Sequence, residues 1–358
     1  MIFSYSLIKS ALPFPRKSKM PLAIIPATTE NPIMKATPET LYVRCGNSGL
    51  FLPRISLGLW HNFGHCDNFS VSEKILLTAF EHGITHFDLA NNYGPPPGAA
   101  EENFGKMLRG SLAGHRDEII VSSKAGHRMW NGPYGDGTSR KSLIASCDQS
   151  LKRTGLDYFD IFYAHRYDAL TPIEETANAL SDLVRAGKAL YVGLSKFPSE
   201  IAEAACKILN ENKTPCLVFQ DRYSLFERGV ENDRLETAYK NGAGFIAFSP
   251  LAQGLLTDKY LNGIPENSRA GKASGFLKRE QVTEEKISAA RQLNRIARSR
   301  GETLAQMAIA RLLHNPRVTS VLLGTSSPEQ LTENLEALNS PGFSPEECRA
   351  VESVLAGL

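Results

Sequence analysis

Two hydrophobic periods alternate along this chain. Short apolar runs recur at "ISLGLW" (55–60), "ITHFDLA" (84–90), "EIIVSSK" (118–124), "DYFDIFYAH" (157–165), "ALYVGLS" (189–195), "CLVFQ" (216–220), "GFIAFSP" (244–250) and "SVLLGT" (320–325). They are strand-length, rich in Val, Ile and Phe, and mostly free of strict alternation, as parallel strands covered on both faces should be. The intervals carry helical spacing instead. Ile173, Ala177, Leu180 and Val184 form one apolar face. Ser70 with Glu73, and Thr171 with Glu174 around Pro172, have capping-box spacing. Gly83, Gly155, Gly187 and Gly242 each stand just before a strand, where a left-handed residue suits a helix end.

Eight strand–helix units over about 280 residues fit a closed (β/α)8 TIM barrel of the α/β class better than an open sheet. No G-x-G-x-x-G follows the first run, which removes the main sequence support for a Rossmann fold. Ahead of that run, "LYVRCGNSGLFLP" (41–53) reads as an N-terminal β-hairpin around Gly46 to Gly49, a plug for the barrel bottom. Residues 41–358 are therefore expected to be a single barrel domain. The 251–285 segment is long for a strand-to-helix connection, and loops of that length are usually functional or disordered. The chain after Leu338 reads as short for a terminal helix and tail. Residues 1–40 read as an extension, disordered or ahead of a true start at Met20 or Met34. Residues 1–29 hold no acid and four basic residues (Lys9, Arg16, Lys17, Lys19), a composition also compatible with an organelle transit peptide.

Composition narrows the partners. With 40 Lys+Arg against 38 Asp+Glu the net charge is +2, and no basic block points to nucleic acid. No apolar run approaches the roughly 20 residues of a membrane helix. The six cysteines lack C-x-x-C or Cys/His ligand spacing, which argues against zinc and disulfide scaffolds and for a reducing, cytoplasmic setting. No metal site is expected.

Catalytic groups of such barrels sit at the C-terminal ends of different strands. Four residues stand there: Asp88 and Tyr93 after the second strand, Lys124 ending the third and His165 ending the fourth. A tyrosine, with a usual pKa of about 10, is a poor acid near neutrality unless a cation lowers it. Lys124 supplies that charge, Asp88 keeps Lys124 ionised and oriented, and His165 hydrogen-bonds the substrate oxygen. Singly, each has a plainer reading: a turn cap, a snorkelling lysine, a structural histidine, a packed loop ring. Together they form a site that protonates an alkoxide as a hydride arrives.

At these residues the sequence resembles the aldo-keto reductases. "GITHFDLANNYGPPPGAAEENFG" (83–105), "SSKAG" (122–126), "DYFDIFYAHR" (157–166) and "SPLAQGLLTDKYLNGIP" (249–265) are similar to the L-glyceraldehyde 3-phosphate reductase branch, near the potassium-channel β subunits. The resemblance implies hydride transfer from NADPH to a carbonyl, with the tetrad on Asp88, Tyr93, Lys124 and His165 and Tyr93 as general acid. It implies nicotinamide contacts from Ser195, Lys196 and Gln220, Lys196 departing from the family's asparagine. Phe248 would stack on the nicotinamide, with Ser249, Leu251 and Gly254 beside the pyrophosphate. Gly324, Ser326, Gln330, Glu333 and Asn334 would hold the adenosine end, where Ser327-Pro328 reads independently as a helix N-terminus suited to an anion. Gln330 replaces the arginine many relatives use for the ribose phosphate, and Lys259 and Arg269 are the expected substitutes.

Trp60 and Trp130 follow the first and third strands and would wall the substrate pocket. His127, Arg128 and Arg140 would favour an aldehyde carrying phosphate or carboxylate. The branch implies small aldehydes such as glyceraldehyde 3-phosphate and methylglyoxal, and a homo-oligomer, tetramer or octamer. Two alternatives stand beside this: an NADPH-binding regulatory subunit related to the channel proteins, and an oxidoreductase working mainly toward alcohol oxidation.

Overall fold

The computed structural model describes residues 41–266, 268, 270–271 and 277–358; the extension 1–40 and Arg269 lie outside the described residues. Two short strands, β1 (Tyr42–Arg44) and β2 (Phe51–Pro53), pair antiparallel as the hairpin. The barrel strands are β3 (Ile55–Gly58), β4 (His86–Asp88), β5 (Ile120–Ala125), β6 (Phe159–Ala164), β7 (Ala189–Ser195), β8 (Cys216–Arg222), β9 (Gly244–Phe248) and β10 (Ser320–Leu323). They are parallel and close in sequence order, β10 pairing with both β3 and β9. Each apolar run of the sequence overlaps one of them, with β5 and β8 reaching one and two residues past their runs.

The hairpin closes the bottom of the barrel. Asn47 N–H donates to Gly242 O at 2.8 Å, and Tyr42 Oη donates to Gly83 O at 2.7 Å. Gly46, at φ +54°, lies so close to Gly242 that an added Cβ would fall 2.2 Å from its carbonyl oxygen, so only glycine fits. Cys45 and Leu52 then join Ile161, Tyr163, Val218 and Ile246 in the barrel interior.

Helices cover the outside. Phe69–Glu81, Ala99–Arg109, Arg140–Thr154, Ile173–Arg185 and Ser199–Glu211 follow β3 to β7. All four glycines read as helix ends have positive φ, between +68° and +77°. Ala177 and Leu180 are buried, with Ile173 and Val184 packed on the same core; each fully buried aliphatic of this kind contributes roughly 1.5–3 kcal/mol.

The two capping boxes are corrected. Asn68, not Ser70, caps the first helix, its side chain accepting from Val71 N–H at 3.3 Å. Thr171 Oγ1 donates to Asp168 Oδ2 at 2.7 Å, and Pro172 stands at the N-cap without a side-chain cap. A short polar side chain has several local backbone and side-chain partners, and spacing alone does not choose among them.

The long segment after β9 folds onto a second cluster. Leu255, Leu256 and Tyr260 pack with Leu293, Leu304 and Met307 of the helices Glu284–Ser299 and Leu304–Leu313. A terminal helix, Pro345–Leu355, is present and closed by a capping box from Ser344 to Glu347, which corrects the expectation that the chain ends too early for one. Its periodicity is too short to have stood out. Among the described residues no helix is long and apolar enough to cross a membrane, and no acidic, His or Cys cluster is placed to hold a metal ion.

Candidate active site

The residues expected at strand ends are brought together. Asp88 is the last residue of β4, Lys124 the last but one of β5, and His165 follows β6 directly. Tyr93 stands beyond β4 in a loop tied back on itself, Gly98 N–H donating to Tyr93 O at 3.0 Å. Lys124 Nζ donates to Asp88 Oδ2 at 2.5 Å, to Leu89 O at 2.7 Å and to Tyr93 Oη at 3.4 Å. Asp88 and Lys124 have no exposed surface, and Tyr93 is 9% exposed. The His165 ring meets the Tyr93 ring edge-on, with centroids 5.9 Å apart.

Behind the carboxylate runs a chain the sequence reading missed. Ser122 Oγ donates to Asp88 Oδ1 at 2.6 Å, and Gln220 Nε2 donates to the same oxygen at 3.2 Å. His86 lies 3.0 Å from Ser122 Oγ through Nε2 and 2.8 Å from Ser56 Oγ through Nδ1, and Ser56 Oγ is 2.7 Å from Ser320 Oγ. Burial pushes the His86 pKa down to about 4, so the ring is neutral near pH 7 and has one N–H. An ionised carboxylate only accepts. Ser122 therefore gives its proton to Asp88 and accepts from His86 Nε2–H. Nδ1 then accepts from Ser56, which accepts from Ser320, so every donor in the chain points toward Asp88. A signal was available: His86 and Ser122 precede Asp88 and Lys124 by two residues, and strand side chains two apart share a face.

Electrostatics follow burial. Tyr93 is pushed well above its ordinary value by desolvation and then by the charge of Asp88. This is opposite to the lowering expected from Lys124, because the ammonium is matched by Asp88 while the phenol has lost its water. The Lys124 ammonium is lowered by burial, with Asp88 opposing. His165 is held well below its usual value by burial and then by Lys124, so it is a neutral hydrogen-bonding group.

The other expected residues are placed as follows. Ser195 and Gln220 are register partners at the ends of β7 and β8, Gln220 with its amide N–H turned to Asp88. Lys196 adopts φ +56° and places Nζ 3.0 Å from His127 Nε2. Phe248 ends β9 with the Arg222 guanidinium over its ring at 5.9 Å. Ser249, Ala252, Gln253 and Gly254 all have positive φ and Leu251 lies among them; left-handed residues this dense mark a backbone shaped for something other than packing. Lys259 is exposed. Ser327 caps the helix Pro328–Leu335 with Pro328 at its start, as read. Gln330 Oε1 accepts from Ser326 N–H at 2.9 Å, holding the loop that carries the exposed Gly324 and Ser326. Glu333 is exposed and Asn334 buried.

Among the described residues, Ser195 Oγ, His165 Nδ1 and Asn334 Nδ2 are buried without a hydrogen-bond partner, as is Gln253 Oε1. Leaving a buried donor or acceptor unmade costs about 1–3 kcal/mol. A nicotinamide carboxamide beside Ser195 and an adenine beside Asn334 have the donors and acceptors to satisfy them, so the residues present fit a nicotinamide dinucleotide.

Of the expected pocket walls, Trp60 packs at 6.2 Å from the Tyr93 ring. Trp130 lies against Gly135 of its own loop, where an added Cβ would lie 2.8 Å from its Cδ1. Arg140 pairs with Asp182, whereas exposed Arg128 donates to the neutral Asn131 Oδ1 at 2.5 Å and keeps its charge.

Comparison with known proteins agrees with this geometry. The chain is 55% identical to L-glyceraldehyde 3-phosphate reductase of Escherichia coli O157:H7 over 88% of its own length and 92% of that protein. It is 54% identical, over the same shares, to the protein of that name from strain K12. A probable voltage-gated potassium channel subunit beta of Oryza sativa subsp. japonica is 35% identical over 88% of this chain and 96% of its own. The model of the aldo/keto reductase family matches residues 54–356, almost the whole barrel, and the chain belongs to that family of oxidoreductases.

Proposed function

We propose that this chain uses NADPH to reduce small aldehydes to alcohols, L-glyceraldehyde 3-phosphate first among them and methylglyoxal next, with Tyr93 as the general acid. The observation that carries the reading is the phenol of Tyr93 within 3.4 Å of an ammonium that a buried carboxylate holds in place. The names of the relatives at 54% and 55% identity support the substrate class.

A bound reduced nicotinamide would supply the hydride. Ser195 and Gln220 would orient its ring, Phe248 would stack on it, the backbone at 249–254 would meet the pyrophosphate, and residues 324–334 with Lys259 the adenosine end. The carbonyl oxygen would lie between Tyr93 Oη and His165, both donors. As the oxygen becomes an alkoxide, the stronger base, it takes the phenolic proton, and Lys124 stabilises the phenolate left behind. Asp88 keeps Lys124 charged and aimed. General acid catalysis of this kind is worth about 10²–10⁴ in rate.

Residues 41–358 as one domain, a cytoplasmic location and assembly into a tetramer or octamer belong to the same reading, the last testable by light scattering. The likeness to a channel β subunit favours a second reading, a subunit that binds NADPH to report on it. Absorbance of NADPH during incubation with glyceraldehyde 3-phosphate, methylglyoxal and an aromatic aldehyde decides. Turnover lost in Tyr93→Phe upholds the reductase; NADPH binding without turnover of any aldehyde overturns it in favour of the subunit.

A further inference from the structure

The cationic groups around the mouth of the site differ in one respect. Arg140 is paired with Asp182, Arg166 with Asp136 at 2.8 Å and Arg222 with Glu227 at 3.0 Å, while Arg128 is held by Asn131. Lys196, like Arg128, has no carboxylate ion pair among the described residues, but Arg128 is exposed and Lys196 half-buried; its Nζ contacts the imidazole of His127. Burial and the charges of Lys196 and Arg166 push the His127 pKa down to about 4, so at neutral pH the ring is neutral, accepts a hydrogen bond from the ammonium and brings no opposing charge. The nearby Asp88 and Lys124 already neutralise each other. Lys196 thus carries a half-buried positive charge, on which the carboxylate of Asp221 acts only from beyond ion-pair distance, on a residue held in the left-handed backbone region, which costs energy in a non-glycine residue.

We propose that Lys196, supported by His127, recognises the anionic group at the far end of the substrate, a phosphate or carboxylate remote from the carbonyl. This rests on the reductase reading above. The geometry suits it. His127 packs edge-on against His165 with ring centroids 4.5 Å apart, and His165 packs the same way against Tyr93. Lys196, His127, His165 and Tyr93 thus line one side of the site, with the proton donor at one end and the unpaired cation at the other. A three-carbon aldehyde carrying a terminal phosphate, with a hydrogen bond at each end, bridges on the order of 10 Å. Burial and then the charge of Lys124 bring the ammonium's pKa down to about 8, with the carboxylate of Asp221 opposing. The competing owner of the charge is the cofactor, since Ser195 lies next door.

The test uses the purified full chain and Lys196→Met and Lys196→Arg, with L-glyceraldehyde 3-phosphate and L-glyceraldehyde, which share a carbonyl and differ in the phosphate. The expected result is a 10- to 100-fold fall in the ratio of their kcat/KM values in Lys196→Met, with most of the ratio kept in Lys196→Arg. Calorimetric binding of glycerol 3-phosphate to the complex with NADP+ gives a readout free of turnover and should weaken by a similar factor. An unchanged ratio with unchanged glycerol 3-phosphate binding overturns the inference. So does a loss shared equally by both aldehydes that tracks a weaker NADPH Kd, which assigns Lys196 to the cofactor. A wild-type protein that reduces neither aldehyde yet binds glycerol 3-phosphate through Lys196 overturns the reductase reading and upholds the anion site.

Discussion

Acid should destabilise this barrel in a way traceable to one imidazole. His86 is fully buried between Ser56 and Ser122, and burial pushes its pKa down to about 4, against about 6.5 in an unfolded chain. Above pH 6.5 neither state binds a proton there. Between 6.5 and 4 the unfolded chain binds one and the folded chain does not, so stability falls as pH falls, and the loss is complete below the folded value. Going from about pH 7.5 to about pH 5, this single shift removes about 2 kcal/mol. His127 and His165 are lowered too, so the total acid sensitivity should be larger. A His86→Gln protein isolates one contribution: the glutamine amide can still donate toward Ser122 but cannot titrate. Urea denaturation of both proteins at the two pH values is the assay. The wild type should lose about 2 kcal/mol more than the variant on acidification. An identical loss would falsify the assignment of His86 as a neutral link in the chain, whatever the variant's stability at neutral pH.

Three further outcomes follow from the site and its supports. Tyr93→Phe should lower kcat by at least about 10²-fold while NADPH Kd, read by fluorescence, changes little; a fall in binding as large as the fall in rate would make Tyr93 a structural residue. Lys124→Met leaves the Asp88 carboxylate buried with only Ser122 and Gln220 as donors, which should cost about 3–5 kcal/mol in denaturant midpoint analysis. The double variant with Asp88→Asn should recover part of that, and strict additivity would refute the pairing. Gly105→Ala should destabilise by about 1–2 kcal/mol despite its better helix propensity, because the new Cβ would sit 2.5 Å from Thr154 O and 2.8 Å from Arg153 O, both backbone atoms of the neighbouring helix.

The barrel was legible in the chain because burial on both faces writes strands as continuous apolar runs, and each of the eight runs overlaps a strand. Positive φ at Gly83, Gly155, Gly187 and Gly242 was legible for a similar reason: a helix that turns directly into a strand needs that conformation. Caps were less so, since Asn68 and Ser70 are chemically interchangeable at that distance. The tetrad could be read because its members stand where strands end. The chain from Ser320 through Ser56, His86 and Ser122 to Asp88 could not be read in full, because it joins residues up to 264 positions apart through contacts that exist only once the barrel closes. That Arg140 is ion-paired and Lys196 meets only an imidazole depended on where Asp182 and His127 fell, which no local pattern encodes.

The resting state of Tyr93 changes the argument about its acidity. Sequence reasoning asked for a phenol made more acidic by Lys124, whereas burial and Asp88 hold it well above its ordinary pKa. That is no obstacle to proton donation. A general acid must arrive protonated, and a raised pKa ensures that across the whole working range of pH. What matters is the difference between Lys124's interaction with a phenol and with a phenolate. The 3.4 Å contact to the neutral hydroxyl is long and weak, but in a site without water the same ammonium facing a forming phenolate gains a charge–charge attraction several times stronger. The stabilisation therefore appears as the proton leaves, which lowers the barrier without first tightening the ground state. Asp88 serves the same end from the other side. By fixing Lys124 at 2.5 Å through Oδ2, with Oδ1 accepting from Ser122 and Gln220, it prevents the ammonium from moving toward the phenol before the charge is there to attract it.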